Sequence, residues 1–214
     1  MDGPIATGRP SDALATLRRY AAPRPAVERC DLCSQPVAGE HQHLFEPPSR
    51  RVLCACDACA ILFGGSDAKY TRIPRRVLSL PGAVISDGQW DALAIPIGMA
   101  FFTFSTPLGR MEAWYPGPAG AIESLLPLDT WNDIVRTCEP LARMERDVEA
   151  LLVNRTGPSR GSVTPAQYLV PIDQCYRLVG LIRTHWKGFT GGAEVWSAID
   201  GFFAELDRRA DVYQ

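Results

Sequence analysis

The sequence lacks any apolar run long enough to cross a membrane. Its most apolar segment, AIPIGMAFFTF at 94–104, is shorter than the roughly 18 residues that a membrane span needs. The first 20 residues contain no apolar stretch of the signal-peptide type. These absences predict a soluble, cytoplasmic protein, in which clustered cysteines are metal ligands more often than disulfides.

The sequence also lacks the motifs of the common enzyme classes. It has no phosphate-binding loop, no GxGxxG fingerprint and no GxSxG serine elbow. Cys138 and Cys175 fall on apolar faces of predicted helices, which indicates core positions. His185 falls on a helix surface, with no carboxylate partner that the sequence can name. No acid–base or nucleophile constellation therefore supports an enzyme.

Strong net charge is missing as well. The formal net charge is −2, which gives no general attraction to nucleic acid or to a membrane surface. Residues 50–76 are locally basic, with six basic and two acidic side chains, but no basic face with interleaved aromatics can be traced. Nucleic acid is therefore not the expected partner.

Cysteine is abundant in one place. Five of the seven cysteines and two of the three histidines lie between residues 30 and 63. A two-residue gap separates Cys30 from Cys33 and Cys56 from Cys59, and 22 residues lie between the pairs. Such a gap lets both sulfurs of a tight turn face one ion, and two turns complete a tetrahedron. We predict that these four cysteines bind one metal ion in a zinc-ribbon-like module.

The sequence leaves the details of this site open. Cys54 could replace one of the four cysteines or be a spare thiol. His41 and His43 share one face of an extended strand, and either could join the ion or hydrogen-bond a ligand sulfur. Zinc is the expected ion because closed thiolate tetrahedra suit it. Mononuclear iron and an iron–sulfur cluster are the alternatives, although Ser34 and Ala60 stand where rubredoxin-like iron sites usually have glycine.

The order of turn signals and apolar patterns divides the chain into four parts. Residues 1–27 are predicted to be a flexible N-terminus with a short helix, and residues 28–69 a cysteine-rich ribbon built on a hairpin. Residues 70–96 are a proline-broken connector with a short helix capped by Ser86. Residues 97–210 predict an α+β domain, an antiparallel sheet covered by helices on one face. Because this domain supplies its own core, we expect it to fold without the metal.

Individual elements of the α+β domain follow from the apolar periodicity. Four strands are predicted, at 97–106, 109–117, 147–155 and 166–170. Three helices are predicted, at 128–144, 171–188 and 193–210. Pro140 is expected to kink or divide the first of these helices.

Several segments of the chain resemble an uncharacterised domain family. The resemblance covers roughly residues 28–208 and includes CDLC, LCACDACAILF, AFFTFST, AWYPGPAGAIESLLPLD, VEALLVNR and YLVPIDQCYRLVGLIRTHWKG. Members of that family come largely from actinobacteria and are often encoded beside NiFe-hydrogenase genes. The resemblance implies a cytoplasmic partner of hydrogenase subunits or maturation factors, and it assigns no catalytic residue.

We expect a non-catalytic, metal-binding accessory protein that acts with a NiFe hydrogenase. One alternative is a rubredoxin-like iron protein that transfers electrons. Another is a metalloenzyme with an open metal site, which would need His41 or His43 as a ligand. The arginine-rich segment 72–76 is compatible with a protein interface.

Overall fold

The fold contains two β-sheets and several helices. The computed structural model describes residues 27–65, 68–80, 84–93, 95, 97–124, 131, 134–135, 138–156, 165–188 and 191–213. Within them the sheets are antiparallel or mixed, so the predicted α+β class is confirmed. The short helix expected in the N-terminal segment, at residues 11–20, lies outside the described residues.

The small sheet holds both cysteine pairs. Strands β1 (Gln42–Glu46) and β2 (Arg51–Ala55) form the predicted hairpin, and helix α1 (Asp57–Phe63) follows it directly. A two-residue strand, β3 (Thr71–Arg72), pairs with β1, which gives the order β2-β1-β3. Leu44 on β1 lies in the small core of this sheet.

The large sheet has seven strands in the order β10-β4-β9-β8-β5-β6-β7, and all neighbours are antiparallel except β10 and β4. These strands are β4 (Leu78–Ser79), β5 (Met99–Ser105), β6 (Arg110–Gly117), β7 (Gly120–Ser124), β8 (Glu149–Asn154), β9 (Ala166–Pro171) and β10 (Asp211–Val212). The sequence did not predict β7, which lies at the sheet edge with every residue half-buried or exposed. Such an edge lacks the apolar alternation by which strands are found.

Four more helices have bounds that can be given. They are α2 (Asp87–Ala92), α3 (Glu139–Ala142), α4 (Ile172–His185) and α5 (Gly192–Arg209). The short capped helix that the sequence predicted at 86–95 is present as α2, and a capping box formed by Ser86 and Gln89 starts it. Pro140 lies in the first turn of α3, which begins after the N-cap Cys138, so the helix predicted at 128–144 does not run through this point.

Both faces of the large sheet are covered, which corrects the expectation of helices on one face. Helices α4 and α5 pack on one face in an apolar core that includes Leu178 and Phe202. The other face carries a second core, where Trp131 stacks on Phe102 with ring centroids 5.5 Å apart. Strand β8 is buried at all six positions, as a strand between two covered faces must be.

The small sheet is joined to the large one by a shared core and by ion pairs. Phe45 of β1 is buried in the core formed by α4 and α5, and its ring lies 6.4 Å from that of Tyr176. The guanidinium of Arg50, in the hairpin turn, pairs with the buried carboxylate of Glu112 on β6. It also lies 4.3 Å from the ring centroid of Trp114. The hairpin is thus packed against the large sheet.

The segment expected to be a connector takes part in both sheets. Residues 70–96 supply β3 to the small sheet and β4 to the large one. Between these strands, Arg76 pairs with Glu149 of β8 through contacts of 2.5 and 2.7 Å. Because Glu149 is fully buried, Arg76 has a structural partner inside the fold. Among the described residues no helix combines the length and the apolar character that crossing a membrane requires.

Candidate metal centre

The first cysteine pair lies in a tight turn. The amide of Ser34 donates to the carbonyl of Cys30, and the amide of Cys30 donates to the carbonyl of Gln35, both over 2.8 Å. Ser34 has a φ of 61°, a left-handed conformation that glycine adopts with less strain. The chain therefore reverses at Cys33 by the tight turn that the two-residue spacing predicted.

The second cysteine pair lies at the start of α1. Cys56 is the N-cap, and its sulfur accepts a hydrogen bond from the amide of Cys59 over 3.5 Å. The carbonyl of Cys56 accepts from the amide of Ala60 over 2.9 Å, which begins the helix. The first turn of α1 thus brings Cys59 next to Cys56.

The four sulfurs of Cys30, Cys33, Cys56 and Cys59 converge. Their Sγ atoms all lie within 4.8 Å of one another, and those of Cys33 and Cys56 are 3.7 Å apart. A tetrahedral ion with bonds of about 2.3 Å holds its sulfurs about 3.8 Å apart, whereas a disulfide bond measures about 2.05 Å. All four cysteines are free thiols. The arrangement is compatible with one metal ion held by four thiolates.

The pKa values of the buried thiols of Cys30 and Cys59 are shifted in opposite directions. Burial raises the pKa of Cys30, but backbone amides of Cys56, Cys33 and Leu32 outweigh it and bring that pKa down to about 6. For Cys59, burial together with the neighbouring thiols of Cys56 and Cys33 raises the pKa to about 12. Four thiols this close cannot all ionise without a positive charge among them. A bound cation would remove that repulsion and keep all four as thiolates.

The three remaining candidate ligands form a cluster of their own. His41, His43 and Cys54 each offer one ligand atom, and these atoms lie within 4.8 Å of one another. Cys54 is the cross-strand partner of His43 in the hairpin. Burial, followed by the carboxylates of Asp31 and Glu28, raises the pKa of the Cys54 thiol. The structure therefore groups Cys54 with the histidines and not with the four cysteines.

One residue beside this cluster was not predicted to belong to a site. Asp173, in the first turn of α4, accepts a hydrogen bond from Nδ1 of His43 over 2.7 Å. In the sequence, an acidic residue at a helix start is sufficiently explained by its favourable interaction with the helix dipole. The two residues are 130 positions apart, and no local pattern signals such a contact.

Helix α1 also presents apolar side chains to solvent. Ile61, Leu62 and Phe63, in the second turn after the cysteine pair, are 73%, 75% and 46% exposed. Scattered apolar residues are normal on a surface, whereas three exposed apolar side chains on one seven-residue helix make that helix a candidate interaction surface. We call Ile61, Leu62 and Phe63 the α1 patch.

Comparison with known proteins identifies the family of this chain and gives no function. A model of the family of unknown function DUF5947 matches residues 29–210, which include both cysteine pairs and both histidines of the hairpin. No curated protein and no solved structure matches the chain. Because the family model covers most of the sequence, the chain belongs to the family of unknown function DUF5947.

Proposed function

We propose that the protein is a metal-binding accessory protein whose four-cysteine cluster holds one Zn²⁺ ion and which acts by binding another protein. The convergence of the Cys30, Cys33, Cys56 and Cys59 sulfurs within 4.8 Å carries the proposal. Four thiolates fill a tetrahedral zinc ion completely and leave no position for a substrate. The role of this ion is therefore structural, as in a zinc ribbon.

The ion would stabilise the turn at Cys30 and helix α1, whose buried residues lie in the core of the small sheet and not in the core shared with the large one. Helix α1 has only seven residues, too few to be stable alone. Cys30 and Cys59 are themselves two of the six buried residues in the core of the small sheet. An ion that ties the Cys30 turn to the start of α1 would fix the position of the α1 patch.

The α1 patch supports a protein partner. Its apolar side chains stand beside the metal cluster on a helix that the ion would hold in place. This placement supports a protein partner of some kind, and on the family resemblance alone we propose that the partner is a subunit or maturation factor of a NiFe hydrogenase in the cytoplasm. The arginine-rich segment 72–76 is a weaker candidate surface, because Arg76 is engaged by Glu149.

The partner is tested by affinity capture from an extract of the native host. Leu62→Asp should abolish the capture of hydrogenase components, since it places a charge in the centre of the α1 patch. Leu108→Asp is the matched control, because Leu108 is also exposed, at 53%, but lies in the turn between β5 and β6. Capture of no hydrogenase component by the wild-type protein would refute the proposed partner. Equal capture by the two variants would refute the proposed surface.

The ion is tested by elemental analysis and an absorption spectrum of the same native protein. One zinc per four-cysteine cluster and no visible absorption are expected. Iron with thiolate charge-transfer bands would instead favour the rubredoxin-like electron carrier.

A further inference from the structure

We propose that His41, His43 and Cys54 form a second metal site, which holds one divalent ion of the zinc class and leaves one coordination position open. This inference goes beyond the accessory function, because it needs neither the four-cysteine ion nor the α1 patch. It rests on the convergence of three ligands of types that zinc prefers, on the hydrogen bonds that orient the two imidazoles and on the cavity beside them.

Strand geometry brings the three ligands to one face of the hairpin. His43 pairs directly with Cys54 across β1 and β2, and His41 precedes His43 by two positions. Because side chains alternate along a strand, all three lie on the same side. Leu44, Leu53 and Ala55 lie on the opposite side, in the core with Cys30 and Cys59. The two clusters are thus on opposite faces of one hairpin.

Both imidazoles are fixed by contacts of the same kind. Nδ1 of His41 lies 2.9 Å from the carbonyl of Ala38, and Nδ1 of His43 lies 2.7 Å from a carboxylate oxygen of Asp173. An acceptor at Nδ1 places the proton there and leaves Nε2 with a lone pair for a metal. Metal-ligating histidines have this second contact in most sites, and a carboxylate in it also raises the basicity of the ring.

One imidazole nitrogen accepts no hydrogen bond from the described residues. Nε2 of His41 is buried and has no hydrogen-bond partner within the described part of the chain. The His41 side chain is only 7% exposed. A buried acceptor without a partner destabilises a folded protein. A bound ion would satisfy this nitrogen.

A cavity gives the ion an accessible side. His41, His43 and Asp173 line a cavity of about 360 Å³, while Cys54 is not among its lining residues. The sulfur therefore binds from the hairpin side, and the fourth position of a tetrahedral ion is left for the cavity. Three protein ligands with an open position are typical of catalytic zinc, which binds water or a small anion there. Arg75 on the cavity wall has no ion pair among the described residues and would favour an anion.

The same residues resemble a second type of site. Cys54, His43 and Asp173 stand in the order of a thiol–imidazole–carboxylate set, in which the sulfur is a nucleophile. Two observations favour the ion. A nucleophilic set has no use for His41, and the sulfur of a nucleophile would have to line the cavity that receives the substrate.

The test is a metal count on the full chain. Protein stripped with a chelator and reloaded with excess Co²⁺ or Zn²⁺ should bind two ions, and each of His41→Ala, His43→Ala and Cys54→Ser should bind one. His185→Ala is the matched control and should retain both ions, because His185 lies at the end of α4 outside the cluster. In the cobalt protein, azide should shift the absorption spectrum of the wild type and not that of Cys54→Ser, since only the open site can accept it.

A second measurement does not depend on the folding of any variant. Zinc should protect Cys54 of the wild-type protein from alkylation by iodoacetamide, as judged by peptide mass spectrometry. A single ion in the wild type that all three cluster variants retain, or two ions retained in those variants, would overturn the proposal. Rapid alkylation of Cys54 that zinc does not slow would assign it as a nucleophile instead. Loss of the four-cysteine ion alone, as in Cys56→Ser, leaves this site testable by the remaining ion.

Discussion

The two sheets of the molecule differ in what can stabilise them. The large sheet has an apolar core on each face, built from strands and from the helices that cover it. The small sheet has a core of six buried residues, and two of them, Cys30 and Cys59, are candidate metal ligands. A core of this size contributes little by itself, and natural modules of this size add a metal or disulfides. We therefore expect the small sheet to depend on its ion and the large sheet to fold without one.

Removing the metal should give the largest effect and should separate the two sheets. Structural zinc contributes about 10–16 kcal/mol of apparent binding free energy in small modules, so chelation should unfold the small sheet. Hydrogen exchange should then show protection lost at the amides of β1 and β2 and largely kept in β8. Equal loss in both sheets would show that they unfold as one unit. The burial of Phe45 of the small sheet in the core of the large sheet would then explain why they do.

Breaking the Arg76–Glu149 pair tests how the two sheets are joined. Arg76→Ala should lower the free energy of unfolding by about 3–5 kcal/mol, because it leaves a fully buried carboxylate without its cation and with only the backbone amide of Glu145 as a donor among the described residues. Thermal or urea unfolding of the metal-loaded protein is the measurement. Arg75→Ala is the matched control and should change stability by less than about 0.5 kcal/mol, since Arg75 is exposed. Similar losses in both variants would contradict the structural role of Arg76.

Asp173→Asn should separate the two proposed ions. The variant should weaken the second ion by about 10- to 100-fold, because the amide no longer holds His43 as a carboxylate does. Its effect on the four-cysteine ion should be nil. Competition with a chromophoric chelator measures both affinities in one titration. An unchanged affinity for the second ion would show that Asp173 has no part in orienting His43.

Protonation of Glu205 should give the smallest of these effects, and it concerns only the ion pair between the two helices on the large sheet. Arg177 holds the pKa of Glu205 at about 2, against opposition from burial and with help from Arg209. The unfolded value is about 4.3, so the lowered pKa stabilises the fold fully above that pH. The contribution is lost as the pH falls from about 4.3 through 2. It should amount to less than about 1 kcal/mol, because the pair is partly exposed.

The measurement for this last prediction compares the wild type with Glu205→Gln. The difference in their melting temperatures should be constant above pH 5. It should shrink towards zero near pH 2, because Glu205 is protonated there. A difference that grows in acid would mean that the folded protein does not lower the pKa of Glu205.

Local features of the fold could be predicted because their causes are local. The hairpin at 42–55, the capped start of α2 and the long helices α4 and α5 each follow from turn residues, caps and apolar periodicity within one segment. The edge strand β7 could not be found, since its pattern is weak. The cover on the second face of the large sheet was missed although helices were predicted at these places, because apolar periodicity locates a helix along the chain and does not say which face of a sheet it packs on.

The candidate site divides in the same way. The sequence alone determined the pairing of Cys30 with Cys33 and of Cys56 with Cys59, because a two-residue spacing brings sulfurs together within one turn. Strand alternation was a further signal, and with the correct register it would have placed Cys54 with the histidines.

Tertiary structure alone decided the rest. The register of β1 and β2 separated Cys54 from the four-cysteine cluster and placed it opposite His43. The packing of α4 against the hairpin brought Asp173 to His43 across 130 residues. Spacing within a turn is fixed by covalent geometry, and a sequence therefore contains it. Contacts between distant elements depend on how whole apolar faces pack, and no single segment of this chain encodes them.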